Sequence, residues 1–116
     1  MNTEQLEQEI IEAVEKAKRN GLSITTYTFG VVEGKDGLYE ANGSNAVCPL
    51  GAYLIGKKYN DDLAADARVS SSWLYGFWVG FDNTIILEEE RDDPEFMEAY
   101  ACGQRLRGKY IEAKDA

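Results

Sequence analysis

The segment 73–81 constrains the fold most, because aromatic, aliphatic and glycine residues fill it without interruption. With Ser72, the glycines Gly76 and Gly80 place small residues four positions apart. In an α-helix this spacing forms one stripe, along which a second helix can approach closely. A helix that is apolar on every side belongs at the centre of a protein or under a partner. The segment therefore predicts a buried helix, and a strand is the competing interpretation of its aromatic residues.

Two further segments carry the same spacing, at Ala52 and Gly56 and at Ala99 and Gly103. A glycine inside a helix costs about 1 kcal/mol relative to alanine, so the pattern indicates close packing that compensates for this cost. We therefore expect a tight helical layer, with a flat ligand between the helices as the alternative. The large side chains predicted to fill the layer are Trp73, Phe77, Trp78, Phe96, Tyr100 and Leu106.

Residues 3–20 have the pattern of an amphipathic helix. Its apolar positions are Leu6, Ile10, Val14 and Ala17. Glutamates near its start and basic residues near its end complement the helix dipole, and Gly21 is suited to terminate it. This segment predicts an N-terminal helix.

Residues 24–32 are rich in β-branched and aromatic side chains and predict a strand. Its predicted buried face consists of Tyr27, Phe29 and Val31. Residues 34–37 favour a turn, after which residues 38–41 can return antiparallel before Asn42-Gly43 turns the chain again. A short antiparallel hairpin or meander is expected, and helices must cover its apolar face.

The second half of the chain predicts mainly helices. Residues 48–56 read as a two-turn buried helix with a proline in its first turn, and residues 61–67 as another short helix. Either Ser70 or Ser71 is expected to cap the helix at 73–81, which ends at Asp82-Asn83.

Two segments follow that helix. Residues 84–87 form either an edge strand or a simple connection. Asp93 and Pro94 are suited to begin a last helix, which is predicted to end at Arg107 before Gly108.

These elements predict one α+β domain over residues 1–116. It has an N-terminal amphipathic helix, a short antiparallel hairpin or meander, and a C-terminal helical layer with close Gly/Ala-mediated packing. At 116 residues the chain can bury about two-thirds of its unfolded surface, which suffices for one core.

The absence of histidine excludes imidazole-based catalysis and His-ligated zinc. None of the common nucleotide, hydrolase, redox or calcium motifs is present, so we expect no cofactor and no metal, and the sequence favours a binding protein over an enzyme. The two cysteines, Cys48 and Cys102, are too few for a secreted disulfide scaffold. With a polar N-terminus and no apolar run of spanning length, the sequence predicts a cytoplasmic protein with reduced thiols.

The chain has 12 basic and 21 acidic residues and a formal net charge of −9. This charge repels phosphate backbones and anionic membranes, so neither direct nucleic-acid binding nor membrane binding is expected. Acidity that merely keeps a small protein of bacterial type soluble is the simpler explanation.

One candidate ligand site surrounds Cys48, which is predicted to lie at a helix N-terminus. Amide groups there can lower the pKa of a thiol and hold an anion. The simpler interpretation is that Cys48 is a small buried capping residue. The predicted ligand-binding residues are Ser44, Asn45, Cys48, Gly51, Trp73 and Gly76.

Residues 88–95 include six carboxylates in eight positions, whose mutual repulsion predicts exposure to solvent. A basic protein partner would be attracted here, although solvation and helix capping alone also explain the run. The predicted partner-binding residues are Glu88, Glu89, Glu90, Asp92, Asp93 and Trp78.

The sequence thus favours a non-catalytic intracellular interaction or regulatory module that binds protein, either a second copy of itself in a homo-oligomer or a basic partner. One alternative is a small-molecule or anion-binding domain near Cys48, including a thiol-dependent enzyme. Another is a nucleic-acid mimic that occupies a DNA-binding protein.

Overall fold

The computed structural model describes residues 3–59 and 71–115 of the chain. Their elements, in chain order, are α1 (Thr3–Arg19), β1 (Ser23–Ile24), β2 (Val31–Glu33), β3 (Tyr39–Ala41), β4 (Ala46–Val47), α2 (Pro49–Leu54), α3 (Ser71–Asp82), α4 (Glu88–Arg91), α5 (Pro94–Tyr110) and a 3₁₀ helix (Glu112–Asp115). The predicted α+β class is confirmed.

The described elements fall into two compact units. The N-terminal unit is formed by residues 4–59, and the C-terminal unit contains residues 71–115. That the whole chain behaves as one domain stays a prediction. The helix predicted at 61–67 and the cap predicted at Ser70 lie outside the described residues. The alternative cap, Ser71, is the first residue of α3.

Helix α1 confirms the predicted amphipathic pattern. The apolar positions of its buried face are Leu6, Ile10, Val14 and Ala17. The helix ends in a Schellman motif, in which the amide of Gly21 donates to Lys18 O and that of Leu22 donates to Ala17 O, both at 3.0 Å. Gly21 has a φ of +87°, as its predicted terminating position requires.

The single strand predicted over residues 24–32 is wrong. Only β1 and β2, at its two ends, are extended, because Tyr27 and Gly30 between them have φ values of +68° and +71°. A positive φ breaks the alternation of a pleated strand, so Tyr27, Phe29 and Val31 do not share a strand face. The side chain of Tyr27 is 67% exposed.

The predicted hairpin is formed by β2 and β3, which pair antiparallel with Val31 opposite Ala41. Its turn is closed by a hydrogen bond from the amide of Gly34 to Leu38 O at 2.7 Å. A second pairing was not predicted: β1 lies parallel to β4, with Ser23 opposite Ala46.

Helix α2 begins as predicted, with Cys48 as N-cap and Pro49 at the first helical position. It ends before Gly56, which has a φ of +87° and lies in the connection that follows. The predicted helical stripe of Ala52 and Gly56 is therefore wrong. The connection runs along β3, where the amide of Tyr39 donates to Lys57 O at 2.9 Å.

The close helix packing predicted for the C-terminal unit is confirmed between α3 and α5. Gly76 lies against the carbonyl of Phe96, and Gly80 against the carbonyl of Tyr100. Gly103, on α5, lies against the backbone of α3 in return. A Cβ atom at any of the three glycines would overlap backbone atoms of the facing helix, so the approach of the two helices depends on them.

The aromatic segment is helical, and its interpretation as a strand is wrong. Trp73 and Phe77 are buried with ring centroids 5.5 Å apart, and Phe81 continues the row at 6.4 Å from Phe77. The helix is not buried on every side, since Tyr75 is 48% exposed. Among the predicted filling residues, Phe96 and Leu106 are also buried, whereas Trp78 and Tyr100 are half-buried.

Side chains of α5 bind the C-terminal carbonyl groups of α3. The Nη1 atom of Arg107 donates to Phe81 O at 2.8 Å, and the Nε2 atom of Gln104 donates to Gly80 O. Asn83 ends α3 with a φ of +60°. These bonds satisfy carbonyls that a helix end leaves without an intrahelical donor.

Helix α5 starts as predicted, since Oδ1 of Asp93 accepts from the amides of Glu95 at 3.0 Å and Phe96 at 3.3 Å. Its predicted end at Arg107 is wrong, because the helix continues through Gly108 to Tyr110. Burial of the Tyr110 side chain stabilises this last turn.

Candidate functional site

The predicted loop residues Ser44 and Asn45 lie on the surface of the N-terminal unit, between β3 and β4. Oδ1 of Asn42 accepts from the Ser44 amide at 3.0 Å and from its hydroxyl at 2.6 Å. Asn45 has a φ of +60°. This arrangement is a tight polar turn, in which local hydrogen bonds already engage the amide and the hydroxyl of Ser44.

Cys48 is 2% exposed, and its Sγ atom accepts a hydrogen bond from the amide of Gly51 at 3.3 Å. Gly51 is itself in close contact with the backbone carbonyl of Phe29, so it has no room for a side chain. These contacts account for both residues through helix capping and packing.

The other two predicted ligand-binding residues, Trp73 and Gly76, belong to the C-terminal unit. Trp73 is fully buried and stacks on Phe77, and Gly76 lies against α5. Packing within that unit accounts for the identity of each residue.

The burial of both cysteines predicts slow thiol chemistry. In a Cys102→Ala variant, which leaves Cys48 as the reporter, we expect a chromogenic disulfide reagent to react at least about tenfold more slowly with the folded protein than with the guanidinium-unfolded chain. The reaction rate is read from the absorbance of the released thiolate. A folded-state rate equal to that of the unfolded chain would instead favour the thiol-dependent alternative.

The predicted exposure of the acidic run is confirmed for three of its six carboxylate residues, whereas Glu90, Asp93 and Glu95 are half-buried. Glu88, Glu89 and Asp92 are exposed, and no cation in the described ranges 3–59 and 71–115 forms an ion pair with them. Two neighbours carry local bonds instead: Oε1 of Glu90 accepts from the Leu87 amide at 3.1 Å, and Asp93 caps α5. The carboxylates of Glu88, Glu89 and Asp92 are therefore exposed to solvent without an ion-pair partner among the described residues.

Two aliphatic side chains directly precede these carboxylates. Residues 84–87 form a simple connection, so the alternative of an edge strand is wrong. In this connection Ile85 is 85% exposed and Leu87 is 54% exposed. We refer to Ile85, Leu87, Glu88, Glu89 and Asp92 as the 85–92 surface. Sequence reasoning found its acidic part and missed its apolar part. Trp78, predicted to join the acidic residues, is half-buried on α3.

A cleft of about 480 Å³ lies within the N-terminal unit, between α1, β3, α2 and Lys57. Sequence reasoning did not predict it. The only signal in the sequence is the small size of four of its lining residues, which are Ala13, Ala17, Ala41 and Ala52.

Within the described ranges, no group of three or more acidic or cysteine side chains is arranged to hold a metal ion. The helices of those ranges include none that is both long and apolar enough to cross a membrane. Comparison of the chain with protein-family models, with curated proteins and with solved structures gave no significant match.

Proposed function

We propose that the protein is a non-catalytic interaction module that binds a basic protein segment through the 85–92 surface. The observation that carries this proposal is the exposure of Ile85 and Leu87 directly beside carboxylates that form no ion pair with a described cation.

The apolar part of the surface supplies favourable free energy of binding. Single exposed aliphatic residues are common on protein surfaces, but Ile85 and Leu87 are only two residues apart, in a segment with no regular secondary structure. Complete burial of an aliphatic side chain of this size contributes about 1.5–3 kcal/mol. Burial of both under a partner would therefore give a measurable affinity.

The acidic part of the surface selects the partner. Glu88, Glu89 and Asp92 attract lysine and arginine side chains and increase the rate of encounter with a positively charged segment. Two copies meeting through this same surface would place like charges together, and nucleic-acid phosphates would be repelled. The partner that fits is a basic protein segment that also carries apolar side chains.

A labelled peptide composed of lysine and leucine tests the proposal. The change is a triple variant, Glu88→Gln, Glu89→Gln and Asp92→Asn, and we expect it to weaken peptide binding about tenfold at low salt, because each exposed charge contributes about 0.2–1 kcal/mol. The matched control, Glu4→Gln with Glu33→Gln and Glu98→Gln, removes the same charge from exposed positions elsewhere. Fluorescence anisotropy gives the dissociation constants, and an equal loss in both variants would contradict a localised surface.

The apolar contribution is tested with Ile85→Ser combined with Leu87→Ser, and with a second peptide in which serine replaces leucine. The proposal expects the double variant to bind the leucine peptide more weakly and to bind the serine peptide unchanged. Affinity that depends only on charge would contradict the proposal and would favour the nucleic-acid mimic, which competition with DNA for a basic host protein would then test.

A further inference from the structure

The sequence contains two Asn-Gly dipeptides, and both lie on the surface of the N-terminal unit. They are Asn20-Gly21, at the end of α1, and Asn42-Gly43, between β3 and β4. All four residues are exposed. Both glycines have a positive φ, +87° at Gly21 and +92° at Gly43. The two dipeptides therefore share their chemistry and their exposure, and their hydrogen bonds distinguish them.

An asparagine that precedes a glycine can react with its own backbone. The glycine nitrogen, after losing its proton to hydroxide, attacks the side-chain carbonyl carbon Cγ of the asparagine. The new C–N bond closes a succinimide ring, and the former amide nitrogen Nδ2 takes a proton from water and leaves as ammonia. Water then opens the ring at either carbonyl carbon, which gives aspartate or isoaspartate. Glycine favours the attack because it has no Cβ atom to obstruct it.

The turn at Asn42 holds its side-chain amide in an arrangement that favours this reaction. Oδ1 of Asn42 accepts hydrogen bonds from the Ser44 amide at 3.0 Å and from the Ser44 hydroxyl at 2.6 Å. These bonds hold the side-chain carbonyl along the backbone of Gly43, whose nitrogen is the attacking atom. Attack on Cγ places negative charge on Oδ1, and donors that already point at this atom stabilise that charge, as in an oxyanion hole.

The nitrogen of Gly43 is accessible for the attack. In the ranges 3–59 and 71–115 its amide donates to no backbone carbonyl. A methyl group added at Gly43 would meet no atom within 4 Å, so there is also room for the succinimide ring and for water. The loss of the proton therefore breaks no hydrogen bond to a described backbone carbonyl.

The other dipeptide is protected by the end of α1. The Gly21 amide donates to Lys18 O at 3.0 Å, and the Asn20 amide donates to Lys16 O and Ala17 O, both at 3.1 Å. The Gly21 nitrogen can lose its proton only when this helix end opens. Each hydrogen bond of ordinary strength that must open lowers the reactive fraction by about threefold to tenfold.

We propose that Asn42 is a site of spontaneous deamidation in the folded protein, assisted by Ser44, and that Asn20 is protected from the same reaction. The reaction replaces a neutral amide with a carboxylate on the surface of the N-terminal unit. The isoaspartate product also inserts a methylene group into the main chain between β3 and β4. The site is separate from the 85–92 surface and does not depend on the proposed function.

Peptide mapping after incubation of the folded protein at mildly alkaline pH tests the proposal. Trypsin places the two dipeptides on separate peptides, because it cleaves after Arg19, Lys35 and Lys57. Mass spectrometry measures the conversion of amide to acid in each peptide, and fragmentation assigns the change to Asn42 and not to Asn45. Chromatography against synthetic peptides identifies the isoaspartate product.

In the folded protein we expect Asn42 to convert at least about tenfold faster than Asn20, because the helix end must open before Asn20 reacts. In the guanidinium-unfolded chain the two rates should be similar, since the protecting hydrogen bonds are lost. Equal rates in the folded protein would overturn the proposal. An Asn42 that stays unchanged in the folded protein while the unfolded chain reacts would overturn it as well.

Variants of Ser44 test the contribution of its hydroxyl. Ser44→Ala removes one of the two donors to Asn42 Oδ1 and should slow the conversion about threefold, since water partly replaces the hydroxyl at this exposed position. Ser44→Thr retains a hydroxyl and should retain the rate. Asn20 is the internal control, because its rate should be the same in both variants. An unchanged Asn42 rate in Ser44→Ala would refute the assistance by Ser44.

Discussion

Gly103→Ala should lower the free energy of unfolding of the C-terminal unit by about 3 kcal/mol. The added methyl group would overlap the carbonyl oxygen of Phe77 and stand 2.7 Å from the amide nitrogen of Phe81. Both are backbone atoms of α3, so neither can rotate away, and the two helices would have to separate. Their separation would also weaken the packing of the buried Trp73 and Phe77 rings.

Gly108→Ala is the matched control, because it introduces the same methyl group into the same helix. The nearest atom to that methyl is Oε1 of Glu112 at 3.9 Å, an ordinary contact with a flexible side chain. We expect Gly108→Ala to stabilise the protein by up to about 1 kcal/mol, because alanine is the better helix former. Urea denaturation followed by tryptophan fluorescence measures both variants. Similar stabilities would mean that α3 and α5 do not approach at Gly103.

The four-residue spacing of small residues predicted close helix packing correctly in one part of the chain and wrongly in another. It correctly predicted the close approach at Gly76, Gly80 and Gly103, where long helices present a continuous stripe. It failed at Ala52 and Gly56, because α2 ends at Leu54 and Gly56 has a positive φ. A glycine within a stripe and a glycine after a helix end have the same spacing in sequence, and only the length of the helix separates them.

The strand prediction over residues 24–32 failed for a different reason. Alternation of apolar residues indicates a strand only where each residue is extended, and Tyr27 is not a residue type that signals a positive φ. The two-residue pairing of β1 with β4 is also too short to produce a periodic pattern. The structure of residues 24–32 therefore depends on contacts with segments that are distant in sequence.

The features of the candidate sites also differ in whether they could be predicted from local sequence. Exposure of Glu88, Glu89 and Asp92 followed from repulsion between neighbouring carboxylates, which is a local property. Exposure of Ile85 did not, because an apolar residue is expected to be buried unless tertiary structure leaves it outside. The cleft was beyond sequence reasoning, because Ala13, Ala41 and Ala52 meet only through packing of three separate elements.

Gly30→Ala is expected to have the second large effect on stability, because this position also depends on tertiary packing. The φ of +71° at this position costs an alanine about 1–2 kcal/mol. The added methyl group would also overlap the backbone carbonyl of Ala46, in β4. We expect a total loss of about 3 kcal/mol in the stability of the N-terminal unit. Hydrogen exchange of the Thr25 amide, which donates to Val47 O at 2.9 Å, reports this loss directly.

Gly37→Ala separates the two contributions to this loss. Gly37 has a φ of +79°, but an added methyl group there would meet no atom within 4 Å. This variant should therefore lose only the conformational part, about 1–2 kcal/mol. Equal protection of the Thr25 amide in the two variants would show that Gly30 is needed only for its backbone conformation, and that its contact with Ala46 contributes nothing.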